Sequence, residues 1–186
     1  MSIILPICSL PLSVFNVELK RRIENNARIR DLGWKISDKI IEKIAPVIVD
    51  RIEVYSDIDN MIIARDFDFY FSEPQYDVLS LKWKDEADLV SAENHLDFIK
   101  SELEKLAEKN WNEKNIKNLI WPYAENQGRG AVLWPFRYAL SGRDKSPNPF
   151  TLASILGKNT TLKRIEQAIK SCVLHCTESS VDTNEY

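Results

Sequence analysis

The sequence predicts an all-α fold of two packed helical subdomains, a helix bundle followed by a C-terminal helical cage. Three observations lead there. Apolar residues recur every three or four positions over long stretches, only five glycines occur in 186 residues, and past Gly130 regularly placed Pro and Gly cut an apolar segment into short helices. A hydrophobic share of 44% and a charged share of 28% suit a globular chain long enough to bury a core without metals or disulfides. Residues 1–30 carry no assignable pattern. Residues 31–110 form the expected first subdomain, 111–176 the second, and 177–186 a tail with nothing to bury, expected to be disordered.

From Ile36, the positions Ile36, Ile40, Ile44, Val47, Arg51 and Tyr55 share one helical face, opposite Lys39, Glu42 and Asp50. Ser37 is the expected cap, and Pro46 is expected to kink this helix or split it in two. A second helix is expected from about Asp57 through Met61 and Ile62 into the aromatic cluster at 67–71, and the stretch SEPQYD reads as a loop. The clearest stripe is Leu89, Ala92, Leu96, Ile99, Leu103 and Leu106, a bundle helix with Glu and Lys outside. A short linking helix over 111–125 should stop near Pro122, with ENQGRG as a turn. Pro135 suits a first helical position, so a helix from Pro135 to Ser141 ending at Gly142 is expected. Phe150–Leu156 closes at Gly157, and Thr160 caps a last helix that buries Leu162, Ile165, Ile169 and Cys172.

Three cysteines give no disulfide framework, which points to a reducing, cytoplasmic setting. Cys172, His175 and Cys176 sit close together, but zinc needs four ligands and the other histidine, His95, is distant, so no metal site is expected. The apolar opening MSIILPICSLPLSVF lacks a basic leader, is broken by Pro6 and Pro11, and is too short to span a bilayer. It reads as an extended segment on the first helices or as a surface exposed where a larger protein was cut, the second being preferred.

Charge is unevenly spread. Residues 111–176 hold ten Lys or Arg against four Asp or Glu, whereas residues 1–110 carry a surplus of six negative charges. A basic block on an acidic chain is what a phosphate-facing surface requires, and it is also what a solvated charged face looks like. Neither histidine has a nucleophile or carboxylate partner at a recognisable spacing, so no catalytic residue is assigned.

The segment AVLWPFRYALSGRDKSPNPFTLASILGKNTTLKRIEQAI resembles the C-terminal signature of bacterial-type glutamyl-tRNA synthetases. The shared landmarks are Trp134, Pro135, Arg137, Ala139, Leu140, Gly142, Ser146, Pro147, Phe150, Leu156, Gly157, Lys158, Leu162 and Ile165, in one register over the segment. Weaker similarity reaches upstream through DRIEVYSDI, FDFYFSEPQYD and SLKWKD, and residues before about 30 match poorly. The family's catalytic half carries HIGH and KMSKS motifs, and neither string is present. The resemblance implies a tRNA anticodon-binding region without machinery to activate glutamate, a piece of a longer protein or the product of a truncated gene. ATP and Mg would then belong to an absent catalytic domain and no cofactor to this chain.

The resemblance further implies that a tRNA(Glu) anticodon loop docks on the C-terminal subdomain at Arg137, Ser146, Pro147 and Pro149. Splayed bases offer edges and faces to Arg, hydroxyl and backbone groups. Arg137 suits a bidentate contact, Ser146 can donate or accept, and the two prolines stiffen the loop. Arg143 and Lys145 are the next candidates for phosphate contact, and Lys163 and Arg164 follow. Trp134 and Phe136 are expected in the core rather than as stacking platforms. Asn148 stands where glycine is common in the family. Two other readings stay open: partnership with a separately encoded catalytic domain, and a helical protein-interaction scaffold that has lost RNA binding.

Overall fold

The computed structural model describes residue 7, residues 11–84, residue 86 and residues 88–181, with side chains to residue 177. The described residues contain no strand and fall into ten α-helices joined by 3-10 turns. Residues 1–6 and 8–10 of the apolar opening, Cys8 among them, lie outside the described residues, as do residues 182–186; Ile7 is buried, and Leu12 to Phe15 are helical rather than extended. No described helix is long and apolar enough to cross a membrane. The chain divides into two compact units at Ser72/Glu73.

In the first unit the central helix is α1 (Leu12–Asn25), lying in the stretch without an assignable pattern. Phe15, Leu19 and Ile23, spaced four apart, are fully buried in it. Asn26 ends α1 and caps α2 (Ala27–Asp31), its side chain accepting from the Arg28 N–H at 3.1 Å. The helix α3 (Asp38–Val49) packs on α1, and its cap is Ser37 as expected. Its buried stripe is Ile41, Ile44, Ala45 and Ile48, rotated from the expected one; Arg51 and Tyr55 lie beyond its end. Pro46 does not split it, because Pro46 and Glu42, whose carbonyl it deprives of a donor, both face water. The expected second helix is two pieces, α4 (Ser56–Ile63) and α5 (Asp68–Phe71). Arg65 adopts a left-handed φ of 64°, and the Asp66 N–H reaches back to the Met61 carbonyl at 2.9 Å, a closure that ends α4.

In the second unit α6 (Val90–Lys105) carries the expected stripe, with Ala92, Leu96, Ile99 and Leu103 buried. It packs on α10 (Lys158–Val181) and on α8 (Arg129–Ser141), so it belongs with the C-terminal helices rather than with residues 31–72. The Lys158 ammonium, at the start of α10, donates to the carbonyls of Glu104 (2.8 Å) and Leu106 (2.7 Å), where a cation completes the end of α6. The helix α7 (Glu113–Gln127) runs past Pro122, which is exposed, as is Asn118, whose carbonyl loses its donor. It ends at Gly128, not near Pro122.

Pro135 lies in the middle of α8, not at its start. An internal proline costs a helix roughly 3 kcal/mol. Burial of Val132 one turn before it, together with Phe136, Ala139 and Leu140, offsets that cost. Gly142 closes α8 as expected, with φ 64° and its N–H on the Tyr138 carbonyl at 2.7 Å. A Cβ there would meet Pro74 and Tyr76 at 3.0 and 3.1 Å, because the SEPQYD loop lies against this turn.

Asn148 caps α9 (Pro149–Leu156), accepting from the N–H groups of Phe150 (3.0 Å) and Thr151 (2.9 Å). The last helix begins at Lys158, so Thr160 is not its cap, and it buries Arg164, Ile165, Ala168 and Cys172, with Leu162 and Ile169 only half-buried. It runs to Val181, five residues into the stretch expected to be disordered. Cys172 is a core thiol whose pKa burial pushes up to about 12.

Between α6 and α7, His95 Nδ1 lies 2.9 Å from the Tyr123 hydroxyl, whose ring stacks on Phe98 at 3.7 Å. Burial lowers the His95 pKa below its ordinary 6.5, with Glu86 pulling weakly the other way. The folded state therefore favours the neutral ring. Both states are neutral above pH ~6.5, and as pH falls below that value the unfolded chain takes up the proton first, so stability declines. Urea midpoints should fall between about pH 7 and pH 5, and His95→Phe should flatten that dependence by up to roughly one proton; a slope unchanged by the substitution would assign it to other groups.

Candidate functional site

The residues of α8 separate into two faces. Val132, Phe136, Ala139 and Leu140 are buried, whereas Arg129, Gly130, Leu133, Trp134 and Arg137 line an open cavity of about 260 Å³. Trp83, Asn148 and Pro149 complete the wall. The volume lies below the roughly 300–1,000 Å³ of drug-sized ligand sites, which suits a single planar ring or a phosphate better than a whole substrate.

Two indoles form the floor. The Trp134 ring is fixed by its N–H, which donates to the Ser80 carbonyl at 2.9 Å, and by stacking on Tyr138 at 5.6 Å. Trp83 leans on it at 5.5 Å between centroids. Each carries a cation. The Arg137 guanidinium lies 5.0 Å from the Trp134 centroid and the Lys84 ammonium 4.8 Å from that of Trp83. Gly130 makes the pair possible, since a Cβ there would fall 2.4 to 2.6 Å from the Trp83 ring. Aromatic rings that carry cations can stack a base and hold a phosphate. They offer no nucleophile or proton relay.

Of the residues singled out from the sequence, the structure brings Arg137 and Pro149 together at this cavity. Pro149 is buried as the first residue of α9 and supplies wall, while Arg137 is half-buried. Ser146 and Pro147 are half-buried in the 142–148 loop, outside the cavity lining, and the Ser146 hydroxyl points to the Pro147 carbonyl at 3.4 Å. Arg143 is half-buried and Lys145 exposed in the same loop. The Ser141 hydroxyl anchors that loop, donating to the Arg137 carbonyl at 2.9 Å and accepting from the Arg143 N–H at 3.3 Å. Phe136 is core as expected. Trp134 is not, and it forms the floor of the site.

The basic block is thinner than its count. Arg164 is buried, with one nitrogen 2.5 Å from the Leu140 carbonyl, and burial lowers its pKa to about 10. Lys158 serves the end of α6, Lys163 pairs with Glu73, Lys170 with Glu166 at 2.7 Å and Arg129 with Glu125 at 2.8 Å. Sequence reasoning assigns no site role to Trp83, Arg129, Gly130, Leu133 or Asn148. A start of α8 at Pro135 hides the spacing that would find most of them. Gly130, Trp134 or Leu133, and Arg137 follow one another along a helix that begins six residues earlier.

Comparison with known proteins agrees with this architecture. The family model described as an anticodon binding domain matches residues 18–169. A glutamate-tRNA ligase of Clostridium acetobutylicum is 35% identical over 138 residues, 70% of this chain and 26% of that protein. One from Flavobacterium johnsoniae is 30% identical over 151 residues, 77% of this chain and 27% of that protein. The chain thus spans about a quarter of the length of these relatives. Among solved structures, a glutamate tRNA ligase from Elizabethkingia meningosepticum aligns with a TM-score of 0.65 at 23% identity, covering 87% of this chain and 30% of that one. A glutamate-tRNA synthetase from Elizabethkingia anophelis aligns at 0.62 and 23%, covering 88% and 29%; these two show a shared fold. With the family model matched over most of its length, the chain belongs to the anticodon binding domain family.

Proposed function

We propose that the cavity on α8 receives unstacked nucleotides of the anticodon loop of a glutamate tRNA, and that the chain is the anticodon-binding part of a glutamate-tRNA ligase. The observation that carries this reading is the Arg137 guanidinium over the Trp134 ring in a cavity lined by two indoles. A base stacks on such a floor in any sequence, while a guanidinium in the same cavity selects among bases by bidentate hydrogen bonding. Ser146, Pro147, Arg143 and Lys145 then belong to the loop beside the cavity, where a hydroxyl and two cations meet the backbone. Activation of glutamate, with its ATP and Mg, is assigned to a catalytic domain. The relatives' name supports this division, as does the absence of HIGH and KMSKS strings from the sequence. The partial neutralisation of the basic block by Glu73, Glu125 and Glu166 is what the interaction-scaffold reading would need, but the cavity with its cations weighs against it.

Titration of the chain with anticodon stem-loops tests the proposal. Arg137→Ala should weaken binding roughly 5- to 150-fold, the loss of one charge-assisted contact of about 1–3 kcal/mol, and should reduce preference among anticodons. Equal affinity for all anticodons, unchanged by Arg137→Ala, would remove it.

A further inference from the structure

A second feature adjoins the cavity on α7. Lys114, Lys117, Trp121 and Glu125 are spaced three, four and four apart and share one face, which Arg129 at the start of α8 continues. The Trp121 ring lies between two cations, the Lys117 ammonium at 4.8 Å and the Arg129 guanidinium at 4.8 Å from its centroid. Its edge meets Phe150 at 6.2 Å, and Phe150 follows the cavity-wall residue Pro149 in α9. Arg129 belongs to both features, lining the cavity and covering Trp121. Lys114 and Lys117 are exposed, and among the described residues neither has an ion pair. From Lys114 to Trp121 the face runs roughly 10 Å at the helical rise, enough to meet more than one phosphate of a strand. Glu125 is held by Arg129, and Glu113 sits in the first turn of α7, where its charge complements the helix dipole.

We infer that this face of α7 is a track for the RNA backbone leading out of the cavity, with Lys114, Lys117 and Arg129 meeting successive phosphates and Trp121 spacing the cations. The inference rests on the proposed reading of the cavity as a nucleotide site. It assigns the strand's exit to α7 rather than to the more numerous cations of α10. Those are withdrawn by burial or by ion pairs at Arg164, Lys163 and Lys170.

The test is the double variant Lys114→Gln/Lys117→Gln of the full chain, titrated with an anticodon stem-loop over a salt series beside Arg137→Ala. Both lysines are exposed, and an unchanged thermal transition verifies folding. The expected result is weaker binding with the slope of log affinity against log salt reduced by about 1.4–1.8, from roughly 0.7–0.9 per lost phosphate contact, while preference among anticodons persists. Glu125→Gln, which frees Arg129, should tighten binding and steepen that slope. An unchanged slope in the double variant while Arg137→Ala weakens binding overturns the track and leaves the cavity reading standing. Binding indifferent to Arg137→Ala but sensitive to the lysines overturns both, because the track would then not lead from the cavity.

Discussion

Phe136→Ala is expected to destabilise the unit from Glu73 to Tyr186 by about 3–5 kcal/mol, the cost of deleting a buried aromatic ring whose site cannot collapse. Phe136 has no exposed surface, and its ring meets Phe150 edge-on at 6.4 Å. It projects from α8, the helix that α6, α7, α9 and α10 all pack against. A void there borders several helices at once, and closing it for one opens it for another. With whole-domain stabilities of roughly 5–15 kcal/mol, the loss is a large fraction of the total. Urea unfolding should show a lower midpoint at an unchanged slope. A cost below about 1 kcal/mol would mean that α8 is not the centre of this unit.

Phe136 also shows how far the sequence can be read. Its neighbours Pro135 and Trp134 belong to one apolar segment, and composition alone treats all three alike. The helix phase separates them, putting Phe136 in the core and Trp134 at the cavity. Giving Pro135 its preferred place at a helix start conceals that phase. The preference is a matter of about 3 kcal/mol, comparable to what one buried side chain returns, so tertiary packing is free to override it. At Ser37, Gly142, Gly157 and the α6 stripe, packing and local chemistry agree, and there the sequence and the structure coincide.

The rest is hidden for two reasons. Phe15, Leu19 and Ile23 have helical spacing, but three positions make a short stripe and the family landmarks lie far downstream, so nothing there marks theirs as a central helix, although the family model reaches back to residue 18. A charge count finds ten cations in 111–176 without showing which are already committed, since the partners of Lys163, Lys158 and Arg129 are set by the fold. Arg137 and Pro149 are legible through the motif that carries them. Trp83 is not, because it is distant in sequence from Gly130 and only the missing Cβ records their approach.

That approach yields the sharpest test of the cavity. Gly130→Ala adds one methyl group where the Trp83 ring stands 2.4 Å away, so the indole must leave its place against Trp134. The stability effect is expected to be small. Alanine gains about 0.8–1 kcal/mol over glycine within a helix, which offsets part of the packing energy given up when a half-buried side chain swings aside. The binding effect is expected to be large, because half of the stacking floor is gone and the displaced ring obstructs the remainder. At about 1–3 kcal/mol per stacked base, affinity for the anticodon stem-loop should fall roughly 5- to 150-fold. Trp83→Ala should give a comparable loss, and combining the two substitutions should add little, since both act by removing one ring. Additive losses would show that Gly130 acts independently of Trp83. Full affinity in Gly130→Ala, with the chain folded, would mean that the two indoles do not form the surface on which RNA is read.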